Sequence, residues 1–125
     1  MPANPLDAYR SVEKATLSQR DLEATVLTKA ALQLQSLRDN WTREDHDAQL
    51  EDALTYNQRV WSFFQAELSV EGNLLPDEIK RNLLALSFFV DRRSFDVLAY
   101  PAPEKLDILI NINYNVAAGL RGDAG

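Results

Sequence analysis

The sequence predicts an all-α protein, a compact bundle of about five to six helices. Apolar residues recur three and four positions apart along most of the chain, which is the spacing of a helix with one buried face. Only 4 of the 125 residues are glycine and 46% are hydrophobic, the composition of a packed helical domain. A single segment alternates like a strand, and no second strand candidate exists to pair with it.

The first two helices are predicted from their start signals. Pro5 follows an asparagine, a pairing typical of a first helical turn, and opens a helix over about 5–17. Ser18 with Asp21 three residues later is a variant of the capping box. It predicts a second amphipathic helix that runs to about residue 40.

Two further helices follow the same logic. Thr42 with Asp45 repeats the capping signal and opens a third helix, which Gly72 can terminate just beyond residue 70. Pro76 begins the fourth helix. The charged segment 91–94 interrupts its apolar pattern, so the residues that follow form either a bent continuation or a short separate helix.

The closing helix is predicted over 104–120, after Pro101 and Pro103 end the one before it. From residue 110 the sequence alternates apolar residues with asparagine, but asparagine is depleted in strands and the helical frame fits better. In that frame Ile108 and Ile112 widen the apolar face beyond an ordinary surface stripe. A helix with so wide a face covers two neighbours, and one of them can be another protein.

Bulk properties narrow the class of protein. We expect one domain over 5–120, with flexible ends at 1–4 and 121–125. The absence of cysteine excludes disulfides and thiol chemistry. A net charge of −6 without a basic cluster opposes binding of DNA or RNA. No export signal or membrane-spanning run is recognisable, so we expect a soluble cytoplasmic protein without membrane insertion.

No catalytic constellation is present in the sequence. The single histidine, His46, lies in an acidic first helical turn with no nucleophile beside it. A histidine in this position is ordinarily exposed to solvent and has no catalytic role. Its neighbouring carboxylates are too close in sequence to converge on one metal ion. Phosphate-binding glycine loops and dinucleotide fingerprints are absent. We therefore expect no enzyme activity, no metal site and no cofactor.

A few residues are candidates for binding another protein. Phe63 must point away from the face that its neighbours bury, either onto another helix or toward a partner. Arg92 and Arg93, near Tyr100, form either a solvated bend or an ionic contact to a partner. Asn113 lies in the apolar arc of the last helix, where it is either hydrogen-bonded internally or left to meet a partner.

Four segments together resemble one family. They are LDAYR at 6–10, NQRVWSFFQAEL at 57–68, FVDRRSF at 89–95 and LININYNVAAGL at 109–120. Over about 5–120 the chain is similar to the flagellar biosynthesis regulator FlaF. The likeness is a distributed helical pattern whose joint order is more specific than any one segment.

The resemblance implies a cytoplasmic, all-helical protein that promotes flagellin production and export and acts as a flagellin-specific secretion chaperone. It would work opposite FlbT, the regulator that restrains flagellin synthesis at the messenger level. Two other functions stay open: an adaptor that sequesters FlbT without chaperoning flagellin, and direct binding of messenger RNA, which the acidic charge disfavours.

A flagellin chaperone must cover the amphipathic terminal helices that pair in the filament, and an apolar groove on a bundle can do so. We predict that Ile108, Ile112 and Phe63 line this groove. Arg92, Arg93 and Asn113 would be its polar contacts, with Tyr100 beside them at the same surface.

Overall fold

The protein forms four α-helices and one short 3-10 turn in a computed structural model. The model describes residues 5–42, 46–73 and 75–122, with side chains from residue 19 onward in the first helix and from residue 47 in the second. The elements are α1 Pro5–Asp39, α2 His46–Ser69, α3 Asp77–Ala99, η1 Pro103–Leu106 and α4 Asp107–Leu120. The described part of the chain is all-helical and contains no strand, which confirms the predicted fold class.

The number of helices is smaller than the five to six predicted, because the boundary predicted at Ser18 lies inside α1 and the segment after Ser94 continues α3. The α1 backbone runs unbroken through Ser18, whose side chain lies outside the described residues. In α3, Ser94 is buried and its hydroxyl donates to the Val90 carbonyl at 2.7 Å. A serine hydroxyl that donates to the carbonyl four residues earlier is bonded within the helix, so it does not act as the N-cap of a new one.

Other start and stop signals agree with the structure. Pro76 directly precedes α3, and Gly72 has a φ of +94°, a left-handed conformation that suits the turn after α2. Gly122 has a φ of +80° just past α4. The predicted cap at Asp45 and the side chain of His46 lie outside the described residues, as do 1–4 and 123–125 at the ends.

The core lies where α1 meets α4 and α2. The most extensive packing joins α1 to α4, whereas α3 packs mainly on α2 and touches α4 and η1 only at its edge. Trp61 is the largest side chain with no exposed surface, and the same buried cluster contains Leu27, Leu34, Leu54 and Leu109. None of the described helices combines the length and hydropathy that a membrane span requires.

Candidate functional site

Two of the predicted partner-binding residues, Ile112 and Asn113, are buried inside the bundle. Ile112 is 8% exposed and packs in the core, so the prediction that it lines an open groove is wrong in this conformation. Neighbouring helices of the same chain cover most of the wide apolar arc of α4, including Leu109, Ile110 and Ile112. Ile108, one turn earlier, is 39% exposed and lies on the solvent side of α4 with Asn111 and Asn115.

Asn113 is hydrogen-bonded inside the bundle, which decides between its two predicted roles. The indole Nε1 of Trp61 donates to Asn113 Oδ1 at 2.9 Å, and Asn113 Nδ2 donates to Asn57 Oδ1 at 2.6 Å. An indole N–H can only donate, so it determines which way both amides point. This orientation leaves Asn57 Nδ2 without a partner among the described residues. The chain of donors ties α2 to α4 in one register.

Phe63 is exposed and lies in an open groove of about 320 Å³ between α1 and α2. We call this surface the α1/α2 groove. Its lining is Leu22, Val26, Tyr56, Val60 and Phe63, with Gln19, Glu23 and Arg59 among the bordering side chains. Phe63 is 50% exposed and Leu22 is 63% exposed, so the α1/α2 groove contains two large apolar side chains that contact solvent.

The spacing of these residues explains why a groove forms. On α1, Leu22 and Val26 are one turn apart, and on α2 Tyr56, Val60 and Phe63 follow at intervals of four and three. Val60 belongs to the buried core, Val26 and Tyr56 pack against its edge, and Leu22 and Phe63 extend from it into solvent. Phe63 also lies edge-on to the buried ring of Phe64, with centroids 6.5 Å apart. The groove therefore rests directly on the core.

One end of the groove is acidic. Glu23 borders both the groove and a neighbouring polar cavity that is also lined by Arg20 and Glu67. Burial raises the pKa of the Glu23 carboxyl, and the nearby Glu67 charge raises it further, against a hydrogen bond from Gln19 and the charge of Arg20. A cation delivered there by a bound partner would relieve this repulsion.

The remaining predicted residues lie elsewhere. Arg93 stands over the Phe89 ring at 5.6 Å, and the Tyr100 side chain is 73% exposed with Lys105 Nζ at 5.5 Å from its centroid. Arg92 is exposed on α3. None of these side chains lines the α1/α2 groove. The predicted site residues therefore lie in separate places. Ile112 and Asn113 are in the interior, Phe63 is in the α1/α2 groove, and Arg92 and Arg93 are on the surface of α3.

The groove also contains Leu22, Val26 and Tyr56, which were not predicted from the sequence as binding residues. Leu22 and Val26 keep the three- and four-residue spacing of the amphipathic helix predicted over 18–40, which favours a place in its buried stripe. The position around the helix axis could have indicated their exposure. Leu22 and Val26 both lie to one side of Ala24 and Leu27, which are fully buried. Which side of a stripe stays open depends on the neighbouring helix.

The comparison with protein families decides the affiliation. The family model for flagellar protein FlaF matches residues 5–120. The chain belongs to the FlaF family. No curated protein matches it, and no solved structure does either. Among the residues that the structure describes in this FlaF-family chain, no three His, Asp or Glu side chains are grouped so that they could hold a metal ion.

Proposed function

We propose that this FlaF-family protein is a secretion chaperone for flagellin that promotes flagellin synthesis and export during flagellum assembly. It binds an amphipathic terminal helix of flagellin in the α1/α2 groove. The observation that carries the proposal is the pair of exposed apolar side chains, Leu22 and Phe63, on opposite walls of a groove between two helices.

A groove of this kind suits a helix with one apolar stripe. An amphipathic helix laid between α1 and α2 would bury Leu22 and Phe63 against residues spaced three and four apart, the usual helix-in-groove mode. The same stripe on flagellin pairs with neighbouring subunits in the filament. Covering it keeps flagellin unpolymerised until export.

Charge supports a protein partner over a transcript. The chain carries a net charge of −6, and the groove itself is bordered by Glu23 as well as Arg59. Phosphates bind where lysines and arginines cluster, and no such cluster borders the groove. A partner helix can satisfy both signs by placing a basic residue near Glu23 and an acidic one near Arg59.

The test is titration of the full chain with two flagellin peptides, one from each terminal helix. We expect one peptide to bind, and Phe63→Ser or Leu22→Ser to weaken binding at least about tenfold, because a buried apolar anchor is lost. Leu32→Ser is the matched control. Leu32 is 55% exposed on the same helix but lies outside the groove, so its loss should leave binding unchanged.

Two results would contradict the proposal. If the folded protein binds neither peptide nor full-length flagellin, the chaperone function is excluded. Retention of purified FlbT in that case would instead support the adaptor. If flagellin binds but Phe63→Ser and Leu22→Ser bind equally well, the function stands and its site lies elsewhere.

A further inference from the structure

The two walls of the α1/α2 groove carry charges at opposite ends. On α1, Glu23 is followed six residues later by Lys29, and on α2, Arg59 is followed eight residues later by Glu67. Besides burial, the Glu67 charge raises the pKa of Glu23, so these two carboxylates lie at the same end. Lys29 Nζ is 5.6 Å from the ring centroid of Tyr56, one turn from Arg59. The two cations therefore share the other end.

The acidic end opens into a polar cavity. Glu23 and Glu67 both line this cavity of about 270 Å³, and Gln19 and Glu23 also line the groove, so the two spaces adjoin. Arg20 is the only basic side chain among the described residues that line the cavity. Two carboxylates and one guanidinium leave this end of the groove with a net negative charge.

The basic end is formed by Lys29 and Arg59, which are both exposed. No aspartate or glutamate lies within five residues of either one along its own helix. Neither forms an ion pair with a described residue. The nearest carboxylate along α2 is that of Asp52, which lines a separate cavity with Gln33 and Gln49. Two cations and one carboxylate leave this end with a net positive charge.

The floor between the two ends is apolar. Val26 lies between the charged residues of α1, and Val60 and Phe63 lie between those of α2. The separations of six and eight residues correspond to about 9 and 12 Å along a helix axis, or about two turns. The groove is thus an apolar surface with opposite charges about two helical turns apart.

A bound helix has the matching polarity. Its first free N–H groups carry partial positive charge, and its last free carbonyl groups carry partial negative charge. Carboxylates accept hydrogen bonds from the former, whereas ammonium and guanidinium groups donate to the latter. In the reverse direction, the carbonyl end would face Glu23 and Glu67, and the N–H end would face Lys29 and Arg59, so like charges would meet.

We propose that the α1/α2 groove fixes the direction of the helix that it binds. The N-terminal end of that helix lies at Glu23 and Glu67 and its C-terminal end at Lys29 and Arg59, so the helix runs parallel to α1. This inference rests on the proposed function, in which the occupant is a terminal helix of flagellin, and it adds the direction of binding. A basic side chain in the first turn of that helix and an acidic one about two turns later strengthen the same preference.

The test uses a designed amphipathic peptide of about 14 residues without charged side chains, acetylated and amidated at its ends, so that only helix polarity orients it. The chain has no cysteine, so a nitroxide can be attached at one introduced site. Val70→Cys lies past Glu67 at the acidic end and Gln33→Cys lies past Lys29 at the basic end, and both positions are exposed. In NMR spectra of the bound, isotope-labelled peptide, the nitroxide at position 70 should broaden the N-terminal amide signals. The nitroxide at position 33 should broaden the C-terminal ones. The opposite pattern, or equal broadening of both ends, would overturn the proposal.

A variant without the four charges tests their role. Glu23→Gln/Lys29→Gln/Arg59→Gln/Glu67→Gln keeps side chains of similar size and should weaken peptide binding about three- to tenfold, with both directions then populated. Glu71→Gln is the matched control, because Glu71 is an exposed carboxylate that lines neither the groove nor the adjoining cavity. It should change neither affinity nor direction. An unchanged direction in the fourfold variant would contradict the proposal.

Further controls separate this proposal from the chaperone function. Phe63→Ser should weaken binding of the designed peptide, because Phe63 lines the α1/α2 groove. No binding of this peptide, or equal affinity in Phe63→Ser, would overturn the inference. The chaperone function is excluded by a different result, the failure of flagellin and of both its peptides to bind. The direction is measured with the designed peptide, so the two failures are distinguishable.

Discussion

The helices α4 and α3 use their apolar residues in opposite ways. Along its sequence α4 is the more apolar, and its apolar face is buried apart from Ile108, with Ile110 at 3% and Ile112 at 8% exposed. In α3 the apolar pattern is interrupted by charges, yet Phe88 and Phe95 are about two-thirds exposed. A wide apolar arc shows that a helix has several neighbours. It does not show whether those neighbours belong to the same chain.

Position in the bundle causes this difference. The α4 helix packs along α1, and side chains of α2 reach it through the Trp61–Asn113 hydrogen bond. Packing of α3 is mainly on α2, which covers one side and leaves the other open. Phe88 and Phe95 of α3 are therefore left exposed by the chain, whereas Leu109, Ile110 and Ile112 of α4 are covered by it.

The largest expected effect comes from charging the two isoleucines of α4. Ile112→Asp places a carboxylate in the core and should reduce the free energy of unfolding by about 3 kcal/mol or more, since an unpaired buried charge is strongly unfavourable. Ile108→Asp, at a position 39% exposed, should change it by less than about 1 kcal/mol. Urea denaturation followed by far-ultraviolet circular dichroism measures both. Equal losses would mean that the two sides of α4 are not distinguished by burial.

A comparable contrast applies to the aromatic residues. Phe88→Ser/Phe95→Ser on the exposed side of α3 should leave the free energy of unfolding within about 1 kcal/mol of wild type, because little packing is lost there. Phe64→Ala, at a residue 4% exposed, should reduce it by about 3–5 kcal/mol. The same urea experiment tests both variants. A large loss in the α3 double variant would show that its aromatic rings support the fold.

Replacing Asn113, the buried amide of α4, should have a smaller effect on stability. Asn113→Leu removes the acceptor of the Trp61 indole N–H and the donor to Asn57, and should reduce the free energy of unfolding by about 1–3 kcal/mol. Asn115→Leu, two residues along on the exposed side, is the control and should be nearly neutral. Combining Asn113→Leu with Trp61→Phe removes the stranded donor, so the two losses should not add. Full additivity would argue against the hydrogen bond.

The smallest effect concerns Glu23 at the acidic end of the α1/α2 groove. Burial and the Glu67 charge raise its pKa above the ordinary 4.5, so the folded state holds the proton more tightly than the unfolded state. Its contribution to stability is then fully present below about pH 4.5 and is lost as pH rises through the raised value. Glu23→Gln keeps the neutral form at every pH. It should melt slightly higher than wild type at pH 7, with no such advantage at pH 4.

Glu67→Gln checks the second cause of that shift. Removing the Glu67 charge should lower the pKa of Glu23 without abolishing the shift, because burial is the larger cause. An NMR titration of the Glu23 carboxyl measures it directly. An unchanged pKa in Glu67→Gln would mean that burial alone produces the shift.

Local signals predicted most of the fold. Apolar spacing identified every described helix, and Pro76, Pro101 and Gly72 identified three of the ends, because these residues restrict the backbone whatever surrounds it. At Ser94 the sequence left two alternatives open, a bent continuation or a separate helix, and the structure shows one continuous α3. A serine can cap a helix or bond within it, and the packing of Val90 and Val97 on the same side keeps α3 continuous.

The candidate site was less predictable than the fold. Phe63 was recognised from its angle to Trp61 and Phe64, and it does line an open groove. Arg92 was singled out as part of a charged pair, but it lies beside exposed phenylalanines whose role the sequence did not separate from core packing. Asn113 and Asn115 are the same residue type two positions apart, and one is fully buried while the other is exposed.

The sequence by itself determined the helical class, the family and the presence of more apolar surface than a simple bundle stripe requires. These properties depend on residues a few positions apart, which any helix brings together. Only the tertiary structure decided that α4 is enclosed and that α1, α2 and α3 present the open apolar surfaces. Exposure depends on which helices lie beside each face, and those neighbours come from distant parts of the chain.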